Sequence, residues 1–129
     1  MNFNKNIVAI AAILGAITIA IGAFGAHGLK ELLSAKALVT FETGVRYQMY
    51  HVFALLIIGI ANGINSITKK WVFRLFILGI IFFSGSIYLL SLNSLIAFDA
   101  KSIGFITPIG GLFLILGWLR LAYGVIVNK

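Results

Sequence analysis

The feature that most constrains this chain is a run of twenty residues without a charged side chain, from Ile7 to Ala26. An α-helix rises about 1.5 Å per residue, so roughly 20 mainly apolar residues cross the hydrocarbon core of a bilayer. A cleaved signal peptide is the alternative interpretation, but its apolar region usually has only about 7–15 residues. This run therefore predicts a membrane-spanning helix near the start of the chain.

Three further apolar stretches follow the first. The second is predicted to continue a helix that begins near residue 36, because AKALVTFETGVRYQMYH carries apolar residues at helical spacings. We predict one membrane domain over residues 1–129, with spans at about 7–26, 50–64, 71–92 and 103–127. The predicted fold class is an all-α integral membrane protein with four transmembrane helices in a compact bundle.

The composition indicates that lipid surrounds this fold. Of the 129 residues, 61% are hydrophobic and 10% are charged, whereas a soluble domain is about 45–50% apolar and 25% charged. The net charge of +7 comes from residues beside apolar runs, so membrane topology and anionic headgroups explain it better than nucleic acid does. We therefore predict the lipid bilayer as partner, and no nucleic acid. The chain has no cysteine, which excludes disulfides and thiolate chemistry.

The distribution of basic residues predicts where the termini lie. Four spans place both termini and the 65–74 loop on one side of the membrane. That side has six basic residues and no acid: Lys5, Lys69, Lys70, Arg74, Arg120 and Lys129. The other side has four basic residues and three acids: Lys30, Lys36, Arg46, Lys101, Glu31, Glu42 and Asp99. Since cytoplasmic segments carry the excess of Lys and Arg, we predict cytoplasmic N- and C-termini.

Glycines recur at spacings that allow close helix packing. Lipid gives no hydrophobic drive between helices, so association depends on small residues and on interhelical hydrogen bonds. A GxxxG pair closes the second span, and a glycine recurs every seven residues in the fourth. The predicted packing positions are Gly22, Gly25, Gly59, Gly63, Gly85, Gly110, Gly117 and Gly124. We interpret them as contacts within the bundle; the alternative is a seam for a homo-oligomer or for another membrane protein.

Polar residues also recur in and beside the predicted spans. His27 closes the first span, His51 opens the second on the same side, and Tyr47 shares a helical face with His51. The candidate cluster is His27, Tyr47, Gln48, His51, Ser84, Ser86, Tyr88 and Thr107. Because polar groups at membrane depth usually pair in the bundle interior, we interpret the cluster as a hydrogen-bonded lock. The alternatives are a functional polar site, such as a proton-coupled solute path or a lipid headgroup pocket, and a histidine metal site.

Motifs for catalysis or cofactor binding do not emerge from the spacing. No nucleophile–base pair with an orienting acid can be identified, Asp99 stands alone in its loop, and the glycines lie inside apolar spans. The two histidines lack HxxxH or HxH spacing for a metal. We therefore predict no enzyme activity, no cofactor and no metal. Glu42 and Arg46, four residues apart, form a candidate helical ion pair.

Four motifs occur in order along the chain: GAFGAHGLK, YQMYH, LGIIFFSGSIY, and TPIGG followed by GW. Over about residues 7–122 they resemble the YgdD/YwdK group of small four-helix bacterial membrane proteins. The resemblance implies this fold and a membrane location, without a reaction or a catalytic residue. Its recurrent positions are Gly22, Gly25, His27, Gly28, Tyr47, Gln48, His51, Ser84, Gly85, Ser86, Tyr88, Thr107, Pro108, Gly110 and Gly111.

The leading functional hypothesis is a non-enzymatic, multi-pass protein of the bacterial cytoplasmic membrane with a structural or accessory role. It would support envelope integrity or partner membrane proteins, since 129 residues in four spans leave little surface outside the membrane. The alternative is a small transporter or channel for protons or a small solute, with a path lined by the His27/His51 polar cluster. That alternative requires an oligomer, because four helices are few for a path and no inverted repeat is evident.

Overall fold

The computed structural model describes residues 2–97 and 99–127, so Lys129, one of the basic residues assigned to the cytoplasmic side, lies outside the described residues. Every regular element in the described part is helical. The helices are α1 (Lys5–Ala23), α2 (Ala35–Ile60), α3 (Ser66–Gly79), α4 (Gly85–Ser91) and α5 (Ile106–Val127). Shorter turns complete the order: π-helical turns Phe24–Gly28 after α1 and Ile80–Ser84 between α3 and α4, then 3-10 turns Asn93–Leu95 and Ala100–Ile103.

Short polar side chains determine where three helices begin. Asn4, Ser34 and Asn65 each accept a hydrogen bond from the backbone N–H three residues further on, at 2.7–3.1 Å. Such an N-cap satisfies an amide that has no partner inside its helix. α3 therefore begins at Ser66, and most of the predicted 65–74 loop is helical. α2 ends at Ile60 rather than near 64, because its backbone becomes extended at the next residue.

α1 and α2 pack antiparallel along their whole length. Three glycine contacts mark the register: Gly59 with Val8, Gly15 with Val52, and Gly22 with Val45. At Gly25 the ring of Phe41 comes so close that a Cβ would lie 2.6 Å from its Cε1 atom. The small residues of α1 therefore allow a close approach of the two backbones, as packing in lipid requires.

The glycines of α5 face α3 and the π-turn that follows it. A Cβ at Gly110 would overlap the backbone of Phe82 and Phe83, and one at Gly117 would overlap the ring of Phe76. Gly124 lies against the side chain of Thr68. The seven-residue glycine seam is thus covered by α3 and the following π-turn of the same chain, so a partner molecule is not needed to cover it.

Two of the predicted packing glycines are corrected by the structure. A Cβ at Gly63 or at Gly85 would have no atom within 4 Å apart from its immediate chain neighbours and helix backbone. Gly63 lies beyond the end of α2, in the turn before α3, so it cannot extend a GxxxG surface of that helix. Gly85 begins α4 on the side of the helix that faces no neighbour.

The contacts define two ends of the molecule. At one end, which we call the terminal face, Asn2 bonds to the turn between α2 and α3, and the last turn of α5 lies beside α3. At the opposite end, the far face, Leu29, Leu33 and Phe41 form a small buried cluster against which Leu92 packs. A larger apolar core between the faces joins α1, α2, α3 and α5. α3 and α4 continue in one direction through the π-turn between them, so α1, α2, the α3–α4 stretch and α5 alternate in direction along the chain.

Three helical stretches have the length and apolar composition of a membrane span: Lys5–Gly28, Ser66–Ser91 and Ala100–Val127. α2 has the length, but Arg46, Gln48 and His51 in its middle turns reduce its apolar character. The chain is therefore a helical protein with at least three stretches suited to a bilayer. The remaining long helix, α2, carries several of the polar residues considered next.

Candidate functional site

A buried amide on α2 connects three helices. The Nε2 atom of Gln48 donates to Thr18 Oγ1 on α1 at 2.8 Å, and the hydroxyl of Tyr88 on α4 donates to Gln48 Oε1 at 2.7 Å. Thr18 Oγ1 donates in turn to the carbonyl of Leu14 at 2.6 Å. Gln48 is 4% exposed and Thr18 is fully buried. One side chain thus uses both ends of its amide to hold α1 and α4 against α2.

Thr18 is a member of this network that was not among the predicted site residues. Its hydroxyl accepts from Gln48 and donates within α1, so it has a partner both as acceptor and as donor. Its position follows from the α1–α2 register, which places it between the contacts at Gly15 and Gly22. A polar side chain inside an otherwise apolar run was the available signal, because such residues tend to face the protein interior.

Ser84 binds α2 through a backbone group. Its hydroxyl, at the end of the second π-turn, donates to the carbonyl of Gly44 at 2.7 Å. Gly44 permits this contact because a Cβ there would lie 2.7 Å from Cε1 of Tyr88. Gly44 was not among the predicted residues, and a lone glycine in a polar stretch gives little sign of such a role.

Ser86 and Thr107 form a second polar contact, between α4 and α5. Their hydroxyls lie 2.5 Å apart, and Ser86 also lies 3.0 Å from the carbonyl of Phe83. This pair has no hydrogen bond to the Gln48 network within the described residues. The single cluster predicted from the sequence is therefore divided into separate contacts at different helix interfaces.

His51 makes a third contact, toward α3 and α5. Its Nδ1 atom lies 2.7 Å from the carbonyl of Tyr47, and Trp118 Nε1 donates to His51 Nε2 at 3.0 Å. A carbonyl only accepts and an indole only donates, so these neighbours select the neutral imidazole with its proton on Nδ1. The ring also meets Phe76 edge-on, with centroids 4.9 Å apart. His51 is held on three sides by groups that suit a neutral ring.

A shallow groove of about 320 Å³ runs beside His51 on the outside of the helices. Its lining is mostly apolar and consists of Tyr47, His51, Phe83, Gly111, Leu114, Ile115 and Trp118. The ring of Tyr47 packs on Phe83 with centroids 5.2 Å apart, and 42% of the Tyr47 side chain is exposed. The groove therefore reaches the ring of His51, although His51 is only 5% exposed.

His27 does not join the other predicted polar residues. It lies exposed in the π-turn after α1, next to the far face. The α1–α2 register places Gly25 beside Phe41, and His51 lies ten residues further along α2, which corresponds to about 15 Å. His51 also points to Phe76 and Trp118 rather than to α1. The predicted convergence of His27 with His51 is therefore corrected, since helix length separates them.

Glu42 and Arg46 lie on the exposed side of α2 near the far face. Together with Gly22, Phe41 and Val45 they line a shallow cavity of about 260 Å³ between α1 and α2. The spacing of one helical turn suits an ion pair, and the pair itself stays a prediction. Both groups are outside the buried polar contacts.

Lys69 occupies an unexpected place at the terminal face. The sequence suggested a surface charge, but the side chain is 1% exposed. Its Nζ atom donates to the carbonyl of Gly59 at 3.2 Å and to the carbonyl of Asn2. Gly59 lies in the last turn of α2, where carbonyls lack helical partners and carry partial negative charge. The buried ammonium therefore closes the end of α2 and binds the N-terminal segment to it.

The buried polar groups are satisfied within the chain. Among the residues that the structure describes, no buried side-chain nitrogen or oxygen lacks a hydrogen-bond partner. Since an unpaired buried polar group costs about 1–3 kcal/mol, each of these contacts favours one arrangement of the helices. The chemistry that the cluster supports best is internal fastening.

Comparisons with known proteins agree with this membrane architecture. The chain is 47% identical over 120 residues to a UPF0382 membrane protein of Staphylococcus saprophyticus, covering 93% of this chain and 96% of that relative. It is 40% identical over 119 residues to a UPF0382 membrane protein of Haemophilus influenzae, covering 92% and 91%.

A family comparison matches residues 21–111, and no solved structure matches the chain. The matched region contains Gln48, His51, Tyr88 and most of the motifs that carried the resemblance, whereas their partners Thr18 and Trp118 lie outside it. The membrane-protein resemblance is thereby confirmed. The chain belongs to the family described as "Protein of unknown function (DUF423)".

Proposed function

We propose that this protein is a non-enzymatic structural or accessory component of the bacterial cytoplasmic membrane. The observation that carries the proposal is the complete pairing of its buried polar side chains within the described chain. Polar groups whose hydrogen bonds already join one helix to another are poorly placed to bind a substrate or relay a proton. The protein would support envelope integrity or a partner membrane protein, as a homo-oligomer or with another chain.

The proposal includes four membrane spans in a compact bundle. α2 runs antiparallel to α1 over the full length of that helix, and its polar residues Gln48 and His51 point to neighbouring helices rather than outward. A helix whose polar groups are covered by its neighbours can cross a bilayer, even when its mean hydropathy is modest. The exposed residues of its second half, such as Phe53 and Ile57, are apolar.

The proposed orientation places the terminal face in the cytoplasm. Of the described residues near that face, Lys5, Lys70 and Arg74 are exposed bases, and no Asp or Glu lies with them. The acids of the described chain, Glu31, Glu42 and Asp99, belong to the half of the molecule nearer the far face. An excess of Lys and Arg on one side is typical of the cytoplasmic side.

A small transporter is the second candidate, and the groove beside His51 favours it. Its volume of about 320 Å³ suits a small solute, and it contains an ionisable ring and the Tyr47 side chain. The groove opens to the outside of the helices, so a second copy would have to close it into a path. Ser84 and His27, which were predicted to line that path, lie elsewhere: Ser84 donates to Gly44, and His27 lies near the far face.

One pair of measurements separates the two functions. Wild type and His51→Ala are compared by thermal melting in one detergent and by proton flux into liposomes that contain a pH-sensitive dye. For an accessory protein we expect a lower Tm for His51→Ala, because Trp118 and the Tyr47 carbonyl lose a partner, and no flux above empty liposomes for either protein. Tyr50→Phe, on an exposed ring of the same helix, is the matched control and should melt like wild type.

The opposite result would favour transport. A proton flux in wild type that disappears in His51→Ala, with the Tm unchanged, would show that the His51 ring takes part in conduction and is not needed to hold the helices together.

In cells, deletion of the gene is expected to raise entry of a membrane-impermeant dye. Complementation by wild type should restore the barrier, and an unchanged barrier after deletion would contradict envelope support.

A further inference from the structure

A small cavity between α3 and α5 at the terminal face contains a partly buried cation. Its volume is about 140 Å³, and it is lined by Asn65, Thr68, Arg120, Tyr123, Gly124 and Val127. None of these residues takes part in the Gln48 network or in the His51 contact. The cavity is therefore separate from the polar contacts on which the proposed function rests.

The guanidinium of Arg120 is held in this cavity by neighbours on two sides. Its Nη1 atom donates to Thr68 Oγ1 at 3.1 Å, and its central carbon lies 5.8 Å from the ring centroid of Tyr123. Gly124 provides the room, because a Cβ there would lie 2.8 Å from the same Nη1 atom. The side chain is thus positioned along α5 rather than extended freely into solvent.

Arg120 has hydrogen-bonding capacity beyond the contact with Thr68. A guanidinium carries five N–H donors in a planar fork, and within the described residues Arg120 makes one side-chain hydrogen bond. The charged groups around it are of the same sign: Lys5, Lys70 and Arg74 share the terminal face, and Lys69 is covered by carbonyls. The described part of this face holds no carboxylate that could neutralise the cavity.

The depth of the cavity indicates which anion is available. Arg120 lies seven residues before Val127 on α5, about 10 Å from the end of that helix. Exposed Tyr123 and Trp71 occupy the same level of the molecule, and such rings prefer the headgroup region of a membrane. At that level the abundant acceptors are lipid phosphates, which match the guanidinium fork.

We propose that the cavity between α3 and α5 binds the phosphate of an anionic phospholipid headgroup, with Arg120 as the phosphate ligand. A net negative lipid is preferred over a zwitterionic one, because a choline group would bring a further positive charge to a face whose charged side chains, among the described residues, are all bases. Thr68 and Tyr123 position the guanidinium, and Gly124 keeps the cavity open.

The test compares defined lipids on the purified, detergent-solubilised protein. Native mass spectrometry and thermal melting are measured with dioleoylphosphatidylglycerol, with dioleoylphosphatidylcholine and with inorganic phosphate. For wild type we expect phosphatidylglycerol to bind more tightly and to raise Tm more than phosphatidylcholine. Arg120→Gln should weaken phosphatidylglycerol binding about tenfold or more, since a hydrogen-bonded charge contact is lost.

Arg74→Gln is the matched control. It removes the same charge from the same face, but Arg74 is exposed and lies over Trp71, outside the cavity. The variant should therefore bind phosphatidylglycerol about as tightly as wild type does. Equal weakening by the two variants would reduce the effect to general attraction between charges and would overturn the site. If inorganic phosphate protects wild type as well as the lipid does, the site takes free phosphate and the lipid assignment is wrong.

Two safeguards keep the result decisive. If Arg120→Gln does not fold, Arg120→Lys keeps the charge without the fork and should bind phosphatidylglycerol at an intermediate strength. Equal binding of the two lipids by wild type would also overturn the proposal without any variant. The accessory role is tested at His51 and is unaffected by either outcome, because Arg120 contacts neither His51 nor Gln48.

Discussion

At the scale of single residues, Gln48 is the side chain that joins α2 to both α1 and α4. Its amide accepts from Tyr88 and donates to Thr18, so one side chain spans two helix interfaces. An amide can do this because it carries an acceptor and donors on the same planar group. A carboxylate at this position could accept from both hydroxyls but would place a charge in the apolar interior, which costs far more than a neutral amide.

We predict that Gln48→Leu lowers the free energy of unfolding by about 1–3 kcal/mol, because buried hydroxyls lose their partner. Thr18→Val should also lower the free energy of unfolding. The loss in the double variant should be smaller than the sum of the two single losses, because both changes break the same Gln48–Thr18 hydrogen bond. Melting in a single detergent measures these differences.

The control for that cycle is Thr40→Val. The hydroxyl of Thr40 donates to the Lys36 carbonyl of its own helix. Thr40 is eight residues along α2, about 12 Å, from Gln48. Its effect should therefore add to that of Gln48→Leu. Additivity for Thr18→Val as well would contradict an energetic link between Thr18 and Gln48.

The sequence was least able to predict which polar side chains of the site contact one another across the helices. Tyr47, Gln48 and His51 were correctly identified as polar groups on a helix, because helical spacing requires only local geometry. Which of them meet depends on the rotation of each helix about its axis. His27 shows the consequence: it lies near the far face, as the start of α2 does, but the register places it far from His51.

At the scale of elements, the contact between α5 and α3 depends on absent side chains. Gly110, Gly117 and Gly124 recur every seven residues and all face α3 or the π-turn after it. Their regular spacing keeps one smooth side of the helix toward its neighbour. That periodicity could be read from the sequence because it specifies a face, whereas an isolated glycine such as Gly85 specifies none.

Replacing two of these glycines by alanine should therefore give opposite results. Gly110→Ala is expected to lower stability by about 1–3 kcal/mol, because the new Cβ overlaps the Phe82 and Phe83 backbone and forces α5 away. Gly85→Ala meets open space, and alanine is favoured over glycine in a helix by roughly 0.5–1 kcal/mol, so its Tm should be unchanged or higher.

Thermal melting of both variants, with helicity checked by circular dichroism, measures the difference. Similar losses for the two changes would show that glycine is needed for helix flexibility rather than for close approach. A Gly110→Ala protein as stable as wild type would contradict the claim that α5 needs glycine to approach α3 and the π-turn closely.

At the scale of the whole molecule, alternating helix directions bring both ends of the described chain to the terminal face. The chain contains no cysteine, so single-cysteine variants report topology without a background. Gly63→Cys lies at the terminal face in open space, and Ser94→Cys lies exposed in the turn after α4. For cytoplasmic termini, a membrane-impermeant maleimide should label Ser94→Cys on intact spheroplasts and Gly63→Cys only after lysis.

The reverse labelling pattern would invert the proposed orientation. Labelling of both positions on intact spheroplasts would instead show that they lie on one side, so the stretch from α3 to α4 between them would not cross the membrane. An unreactive position is distinguished from a protected one by labelling the detergent-solubilised protein, in which both cysteines should react.

The overall architecture was the most predictable level, because long apolar runs can be stable in few other ways. An all-helical membrane protein follows from composition and run length alone. The burial of Lys69 could not be predicted in this way. It depends on the segment at Asn2 folding beneath the end of α2, and no local pattern in either segment reveals that meeting.

The binding of Lys69 also has a consequence for the order in which the protein is made. Its two acceptors, the carbonyls of Asn2 and Gly59, belong to residues that the ribosome adds before the lysine. The hairpin of α1 and α2 can therefore be inserted and closed while α3 is still being synthesised. We therefore expect the α1–α2 hairpin to offer both acceptors before α3 docks, so that Lys69 binds to a part of the chain that is already complete.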